Sequence, residues 1–147
     1  MKRVVITGCG TINPLGRNVE ETWKSLAEGK DGISKLDIPN IERLSIKNGG
    51  QVKIKSILES MPKNFNTNAD RVTLLSLIAS IEAVNSSGIN FEQPLNESSA
   101  VILGTAGGGL TTQDENFKKV YEQKRNRVHP LTVPRLMHSA SASAISI

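Results

Sequence analysis

Aromatic residues and cysteines are scarce in this chain. Phenylalanine, tryptophan and tyrosine make up 3% of its 147 residues, and Cys9 is the single cysteine. One cysteine excludes an internal disulfide framework and a cysteine-rich metal site. The net charge of +4 comes from dispersed lysines and arginines with no aromatic platform beside them. Such a distribution predicts a solvated basic surface and argues against nucleic-acid binding.

Long apolar runs are lacking as well. No stretch approaches the ~18 apolar residues that a membrane-spanning helix needs. The opening MKRVVITGCG has only a brief apolar run before its glycines, whereas a secretory signal needs a longer apolar core. We therefore expect a cytoplasmic protein in a reducing compartment, without a membrane segment.

The composition that is present fits one soluble globular domain, with 37% hydrophobic and 22% charged residues. Val4, Val5 and Ile6 form an unbroken β-branched run that ends at a glycine, and Ala100 to Leu103 form a second short apolar run. Both patterns predict strands that are covered on two faces. Helical patterns lie between them, so an α/β class is predicted.

The first helix carries its own start and stop signals. Asn18 and Glu21 have the spacing of a capping box, with an amide in place of the usual hydroxyl. Trp23 and Leu26 then follow at helical intervals, and Gly29 predicts a left-handed end.

A longer helix is predicted from Asn68 to Ser87, with Gly88 as its stop. Its apolar residues cover most of the helix circumference, so we expect it to lie inside the protein or an interface. These residues are Val72, Leu74, Leu75, Leu77, Ile78, Ile81 and Val84.

Before this helix, residues 31–65 are rich in Lys, Asn, Gly and Pro and predict an irregular surface excursion. The alternation at 51–55 could be one arm of a hairpin.

The second half of the chain begins with a glycine turn from Gly104 to Leu110, which we call the second glycine turn. A charged amphipathic helix should follow, with Phe117, Val120 and Tyr121 on its apolar face. Residues 130–134 lie between two prolines and are predicted to be extended. The small residues of LMHSASASAISI would let two backbones approach closely.

The glycines invite comparison with nucleotide-binding loops. A GxGxxG fingerprint would need glycine where Asn13 lies, and Pro14 cannot donate a backbone hydrogen bond. Gly107 to Gly109 lack the GK[ST] ending that holds phosphate and magnesium. A dinucleotide-binding protein is therefore disfavoured. The second glycine turn either leaves room for a partner backbone or an acyl chain, or simply makes a turn, and both interpretations stay open.

Four segments in fixed order resemble the β-ketoacyl-[acyl-carrier-protein] synthases, which share the thiolase fold. RVVITGCGTINPLG with ETWKSLAEGKDGI resembles the family's opening strand, turn and first helix, and ADRVTLLSLIASIEAVNSSGI resembles its long buried helix. AVILGTAGGGLTTQDENF resembles its second strand and G-x-G-x-G-G-L turn, with the departure Ala106 at the second glycine. HPLTVPRLMHSASASAISI resembles its proline-marked loop and helix.

The resemblance implies that residues 1–147 are the N-terminal part of a thiolase-like, layered αβαβα domain that is incomplete in this chain. It implies decarboxylative Claisen condensation in fatty-acid synthesis, with acyl carrier protein as partner, a homodimer, and no cofactor or metal. The family's cysteine and two histidines would follow Ile147, so no catalytic residue is expected here. The uncapped end at Ile147 also predicts a break within an element.

The same resemblance implies the residues that lie beside the acyl pocket and the dimer partner. They are Gly107, Gly108, Leu110, Leu131, Thr132 and Val133. Cys9 lies in the first glycine turn and is predicted to be a buried, inert thiol. His129 and His138 match neither catalytic histidine, and we expect packing or hydrogen-bonding roles for both.

Other functions remain open. The chain could be a binding module that keeps an acyl or protein surface without chemistry, or part of a non-catalytic chain-length-factor-like partner in which the cysteine is replaced. Arg125 and Arg127 could steer an acidic carrier protein, although a generic solvated face explains them equally well.

Overall fold

The computed structural model describes residues 3–53, 68–91 and 95–147, and these form two compact units. The first unit comprises Met1–Phe65 with Ile78–Ile89, and the second comprises Asn66–Leu77 with Asn90–Ile147. The helices are α1 (Val19–Ala27), α2 (Arg71–Ser87), α3 (Leu95–Ser98), α4 (Leu110–Phe117), α5 (Thr132–Leu136) and α6 (Ala140–Ser146). Among them, no helix has the length and apolar character needed to cross a membrane.

The two predicted buried strands do not form. Residues 3–7 and 100–103 have no strand assignment, and Val4, Ile6 and Ile102 are each more than nine-tenths exposed. A strand is defined by hydrogen bonds to a neighbouring strand. Neither segment has such a neighbour in the described part of the chain, so this prediction is wrong here.

Helix α1 begins as the sequence predicts. The Asn18 side chain accepts a hydrogen bond from the Glu21 amide at 2.8 Å, and Gly29 ends the helix region with φ of +66°. The Glu21 carboxylate reaches back to the amide of Arg17 at 2.9 Å and also pairs with its guanidinium at 2.7 Å. The apolar side of the helix is open, since Trp23 is 72% exposed.

A short hairpin follows α1. Strands β1 (Ile33–Lys35) and β2 (Asn48–Gly50) pair antiparallel, with a single 3₁₀ turn at Ile41–Arg43 between them. The second arm therefore precedes the predicted segment 51–55. Residues 51–53 have no strand assignment, and 54–55 lie outside the described residues.

The predicted long helix is confirmed as α2. Leu74 and Leu77 are buried, but Val84 is 42% exposed. The expectation of an enclosed helix therefore holds for its early turns and not for its last ones. Gly88 follows the helix with φ of +64°, which is the predicted stop.

The first glycine turn, residues 8–16, packs tightly on α2 within the first unit. A Cβ atom at Gly10 would lie 2.0 Å from the carbonyl oxygen of Ala79, and one at Gly8 would lie 2.3 Å from that of Ala83. Only glycine permits such an approach of two backbones. Close packing, rather than a phosphate site, accounts for these two glycines.

Polar contacts hold the same turn. The Glu82 carboxylate of α2 accepts hydrogen bonds from the amides of Thr11 at 2.9 Å and of Val19 at 2.8 Å. The Ser86 hydroxyl accepts from the Cys9 amide at 3.1 Å and donates to its carbonyl at 3.0 Å. Because Val19 is the first residue of α1, Glu82 also satisfies a donor at the start of that helix.

The ion pair at α1 predicts an acid-dependent loss of stability. The Arg17 side chain, through its hydrogen bond, and then the Arg17 amide lower the pKa of Glu21 from 4.5 to about 2. Because this pKa is lower in the folded protein than in the unfolded chain, the ionised Glu21 stabilises the fold above about pH 4.5. This stabilisation is lost as the pH falls toward 2. Glu21→Gln should therefore lower the melting temperature most above pH 4.5, with the difference shrinking toward pH 2.

Thermal denaturation of the full protein across this pH range checks the prediction. Glu20→Gln is the matched control, because it removes the same charge from the same turn without touching the Arg17 pair. A Glu21→Gln difference that stays constant between pH 5 and pH 2 would contradict it.

Candidate functional site

The second glycine turn lies against the end of α5 within the second unit. A Cβ atom at Gly108 would lie 2.0 Å from the carbonyl oxygen of Leu136, and one at Gly109 would lie 2.1 Å from that of Arg135. The Gly109 amide donates to the Leu136 carbonyl at 3.3 Å. The sequence leaves open what these glycines do. Here Gly108 and Gly109 provide the room that the backbone of α5 occupies.

A buried carboxylate connects this turn to α2. Asp70 is 3% exposed and lies just before α2. Its Oδ1 accepts a hydrogen bond from the Val72 amide at 3.1 Å, and its Oδ2 accepts one from the Thr112 amide at 2.7 Å. Both amides lie in the first turn of a helix, where donors lack intrahelical partners and negative charge is favoured.

The surroundings of Asp70 are polar as well. Thr112 is 1% exposed, and its carbonyl accepts from the Asn116 side chain at 2.7 Å. The Thr132 hydroxyl lies 3.5 Å from the Asn116 side-chain oxygen, and Thr73 and Ser141 share a hydrogen bond of 3.2 Å. Buried hydroxyl and amide groups therefore join α2, α4, α5 and α6 in this unit.

The buried face of α4 differs from the prediction. Thr112 and Asn116 face the interior, whereas Phe117 is 51% and Tyr121 is 75% exposed. The apolar assignment was wrong because Asp70 and Thr132 supply buried polar partners that lie far away in sequence. The two rings contact each other edge to face, with centroids 5.8 Å apart, and a π-helical turn at Lys118–Glu122 continues α4.

Two open grooves border Asp70. Groove A, of about 280 Å³, lies between α2 and the second glycine turn. It is lined by Asp70, Arg71, Val72, Leu75, Thr105, Ala106, Gly107, Gly108, Leu110 and Thr111. Groove B, of about 370 Å³, is largely apolar. It is lined by Asn68, Ala69, Asp70, Thr73, Leu131, Pro134, Arg135, Met137, Ser139, Ala140, Ser143, Ala144 and Ile147.

The six residues predicted for the acyl pocket and dimer side do not share one site here. Gly107, Gly108 and Leu110 line groove A, and Leu131 lines groove B. Thr132 is 7% exposed and contributes to the polar interior, while Val133 is 67% exposed and lines neither groove. Sequence reasoning missed Asp70, although its place before a long helix is a signal for a capping residue.

The segment between Pro130 and Pro134 is not extended as predicted, because α5 begins at Thr132. Pro134 lies in the first turn of this helix, where its missing amide removes no intrahelical hydrogen bond. The helix is short and ends at Leu136.

Cys9 is exposed rather than buried, which corrects the prediction of a buried thiol. Residues 3–7, which precede it along the chain, are themselves exposed. The Nδ1 atom of His129 accepts a hydrogen bond from the Leu131 amide at 3.1 Å, a local turn contact. Within the described ranges no group of three His, Cys, Asp or Glu side chains could hold a metal ion.

The chain is similar to proteins of known class. Residues 1–147 match the family described as "Beta-ketoacyl synthase, N-terminal domain". The chain is 30% identical over 146 residues to 3-oxoacyl-[acyl-carrier-protein] synthase 2 of Staphylococcus aureus (strain COL), and equally to the enzyme of that name from Vibrio harveyi. Both alignments cover 99% of this chain and 35% of the relative.

A solved structure is similar as well. The crystal structure of a beta-ketoacyl synthase from Burkholderia phymatum STM815 matches with a TM-score of 0.76 at 20% identity, over 99% of this chain and 36% of that one. The fold is therefore the thiolase-like α/β fold of these synthases. Because the family match covers all 147 residues, the chain belongs to the β-ketoacyl synthase family, as its N-terminal domain portion. It spans about a third of the length of the curated relatives.

The second glycine turn yields a stability prediction. Gly108→Ala would place a Cβ atom against the Leu136 backbone and should lower the free energy of unfolding by about 1–3 kcal/mol, the usual cost of overpacking. Gly104→Ala is the matched control, because no atom lies within 4 Å of its Cβ position. It should change the free energy by less than about 0.5 kcal/mol. Urea denaturation of the full protein measures both, and equal effects would contradict the packing argument.

Proposed function

We propose that the chain forms the N-terminal portion of a 3-oxoacyl-[acyl-carrier-protein] synthase that elongates acyl chains in fatty-acid synthesis. The observation that carries this proposal is the family match over residues 1–147, together with 30% identity to enzymes named 3-oxoacyl-[acyl-carrier-protein] synthase 2. The hydrogen bonds of Asp70 and the close glycine packing hold helices and turns together. They support a structural role for this chain in such an enzyme, and not the role of supplying its nucleophile.

The reaction is a decarboxylative Claisen condensation. A cysteine thiolate attacks the thioester of acyl-carrier protein, takes the acyl group and releases the carrier protein's thiolate. Malonyl-carrier protein then loses carbon dioxide to leave a carbanion. The carbanion attacks the acyl carbonyl carbon and expels the thiolate, which gives 3-oxoacyl-carrier protein. Negative charge on the carbonyl oxygen is stabilised by hydrogen-bond donors. In the proposed enzyme the cysteine and the two histidines would lie outside residues 1–147.

This chain would contribute walls for the acyl group. Groove A offers Val72, Leu75 and Leu110 as apolar lining. Groove B adds Leu131 and further apolar side chains. Burying methylene groups of an acyl chain against such side chains is favourable by about 0.8 kcal/mol per group. The exposed Val133 would stand on the dimer side in a cytoplasmic homodimer, while the buried Thr132 would support that segment from inside the unit.

The partner in both half-reactions would be an acyl carrier protein. Residues 118–127 carry five basic side chains and one acidic one, and all of residues 121–127 are exposed. Carrier proteins are generally acidic, so this segment would attract them over a long range and set their association rate.

A condensation assay tests the proposed function. The full protein, given acyl- and malonyl-carrier protein, should release carbon dioxide and form 3-oxoacyl-carrier protein, and iodoacetamide should abolish the reaction. Cys9→Ala should retain activity, because Cys9 contacts Ser86 through its backbone alone in the hydrogen bonds observed. The 147-residue chain by itself should be silent.

Two outcomes would contradict the proposal. Turnover by the isolated chain would mean that its own residues perform the chemistry. Binding of carrier protein by the full protein without condensation would instead favour the non-catalytic partner.

Charge reversal tests carrier-protein docking. Arg125→Glu with Arg127→Glu should raise the Kd of the full enzyme for acyl-carrier protein by about tenfold at low salt, and less at high salt because surface charges are screened. Lys35→Glu with Arg43→Glu is the matched control, since it makes the same change in net charge at exposed positions of the first unit. Equal effects of the two pairs on the Kd would argue for net charge alone and against a docking site.

A further inference from the structure

Asp70 is a buried charge that borders both grooves of the second unit. Its two oxygens serve different elements, since Oδ1 accepts from Val72 in α2 and Oδ2 accepts from Thr112 in α4. Thr112 is 1% exposed, so water cannot readily replace the carboxylate as the partner of its amide. The 2.7 Å bond is therefore a charge-assisted contact between two nearly fully buried residues.

This contact links the two walls of groove A. Leu110 and Thr111 are the first residues of α4, and Gly107 and Gly108 lie just before it, so this wall is continuous with the first turn of α4. The opposite wall is the start of α2, to which Asp70 is fixed by its Val72 bond. The turn also packs closely on α5, where the Gly109 amide donates to the Leu136 carbonyl at 3.3 Å, but that contact does not involve α2.

We propose that Asp70 is a positioning residue for acyl-chain selection: its carboxylate fixes the second glycine turn against α2 and thereby sets which acyl lengths groove A holds. The inference rests on the proposed function, which places the acyl chain at this turn. Asp70 acts through Thr112 and Leu110 and does not touch the reacting atoms.

One variant separates the two roles of Asp70. Serine caps helices about as well as aspartate, so Asp70→Ser keeps an acceptor for the Val72 amide. Its shorter side chain cannot also reach Thr112. Asp70→Asn is the second variant: it keeps the shape, but its NH2 group is a donor and must face one of the two amides from which the carboxylate accepts.

Glu82→Gln is the matched control. Glu82 is a carboxylate of the same helix that also accepts from two backbone amides, those of Thr11 and Val19, but it belongs to the first unit and lines neither groove. This control shows how weakening a carboxylate contact to two backbone amides affects the enzyme's kinetics when the carboxylate lines neither groove.

The experiment measures kcat and KM of the full enzyme for acyl-carrier proteins of increasing acyl length, at saturating malonyl-carrier protein. Chains long enough to contact the wall should lose affinity when it loosens. Asp70→Ser should therefore lower the ratio of kcat/KM for the longest over the shortest donor by about tenfold, the value of one charge-assisted hydrogen bond. The change should lie in KM, with kcat for the shortest donor unchanged. Glu82→Gln should leave the ratio as in the unaltered enzyme.

Each other result decides the matter. An equal loss at every acyl length, or the same shift in Glu82→Gln, would reduce Asp70 to a structural residue. If Asp70→Ser does not fold, an unchanged length profile in folded Asp70→Asn overturns the inference and a smaller shift of the same kind supports it. An unaltered enzyme that condenses no donor at all would overturn the proposed function itself, and this inference with it.

Discussion

The first amides of a helix have no partner within that helix, and this chain meets that need with carboxylates carried by or next to α2. In the second unit Asp70 satisfies the amides of Val72 and Thr112, and in the first unit Glu82 satisfies that of Val19. Glu82 also accepts from the Thr11 amide, which lies in the first glycine turn. Each acceptor is charged and faces the positive end of a helix dipole, which strengthens the bond. Within each unit, another helix therefore starts where α2 provides an acceptor.

Backbone contact without side chains is the second constraint. Gly10 meets the carbonyl of Ala79, and Gly108 meets that of Leu136, at distances that any Cβ atom would violate. The first of these contacts lies beside the Glu82 bonds, and the second lies near those of Asp70. In both units, charge-assisted hydrogen bonds therefore occur beside a close contact between two backbones. This pairing is a physical reason why each glycine turn has an acidic partner at α2.

Local signals could be predicted from the sequence, and non-local ones could not. The Asn18 cap and the Gly88 stop were predicted because the interacting residues lie within a few positions of each other. The strands at 3–7 and 100–103 were predicted wrongly because pairing depends on neighbours that local pattern does not contain. The polar face of α4 was missed because its partner, Asp70, lies 42 residues away from Thr112. The acyl-pocket residues were also predicted without knowledge of distant contacts, and only Gly107, Gly108 and Leu110 of the six line the same groove.

The exposure of Val4, Ile6 and Ile102 has a consequence for self-association. Each lies in a β-prone apolar segment, and the backbone of such a segment can pair with a strand of another molecule. While these segments are uncovered, contact between copies of the chain competes with correct folding, and that competition grows with protein concentration.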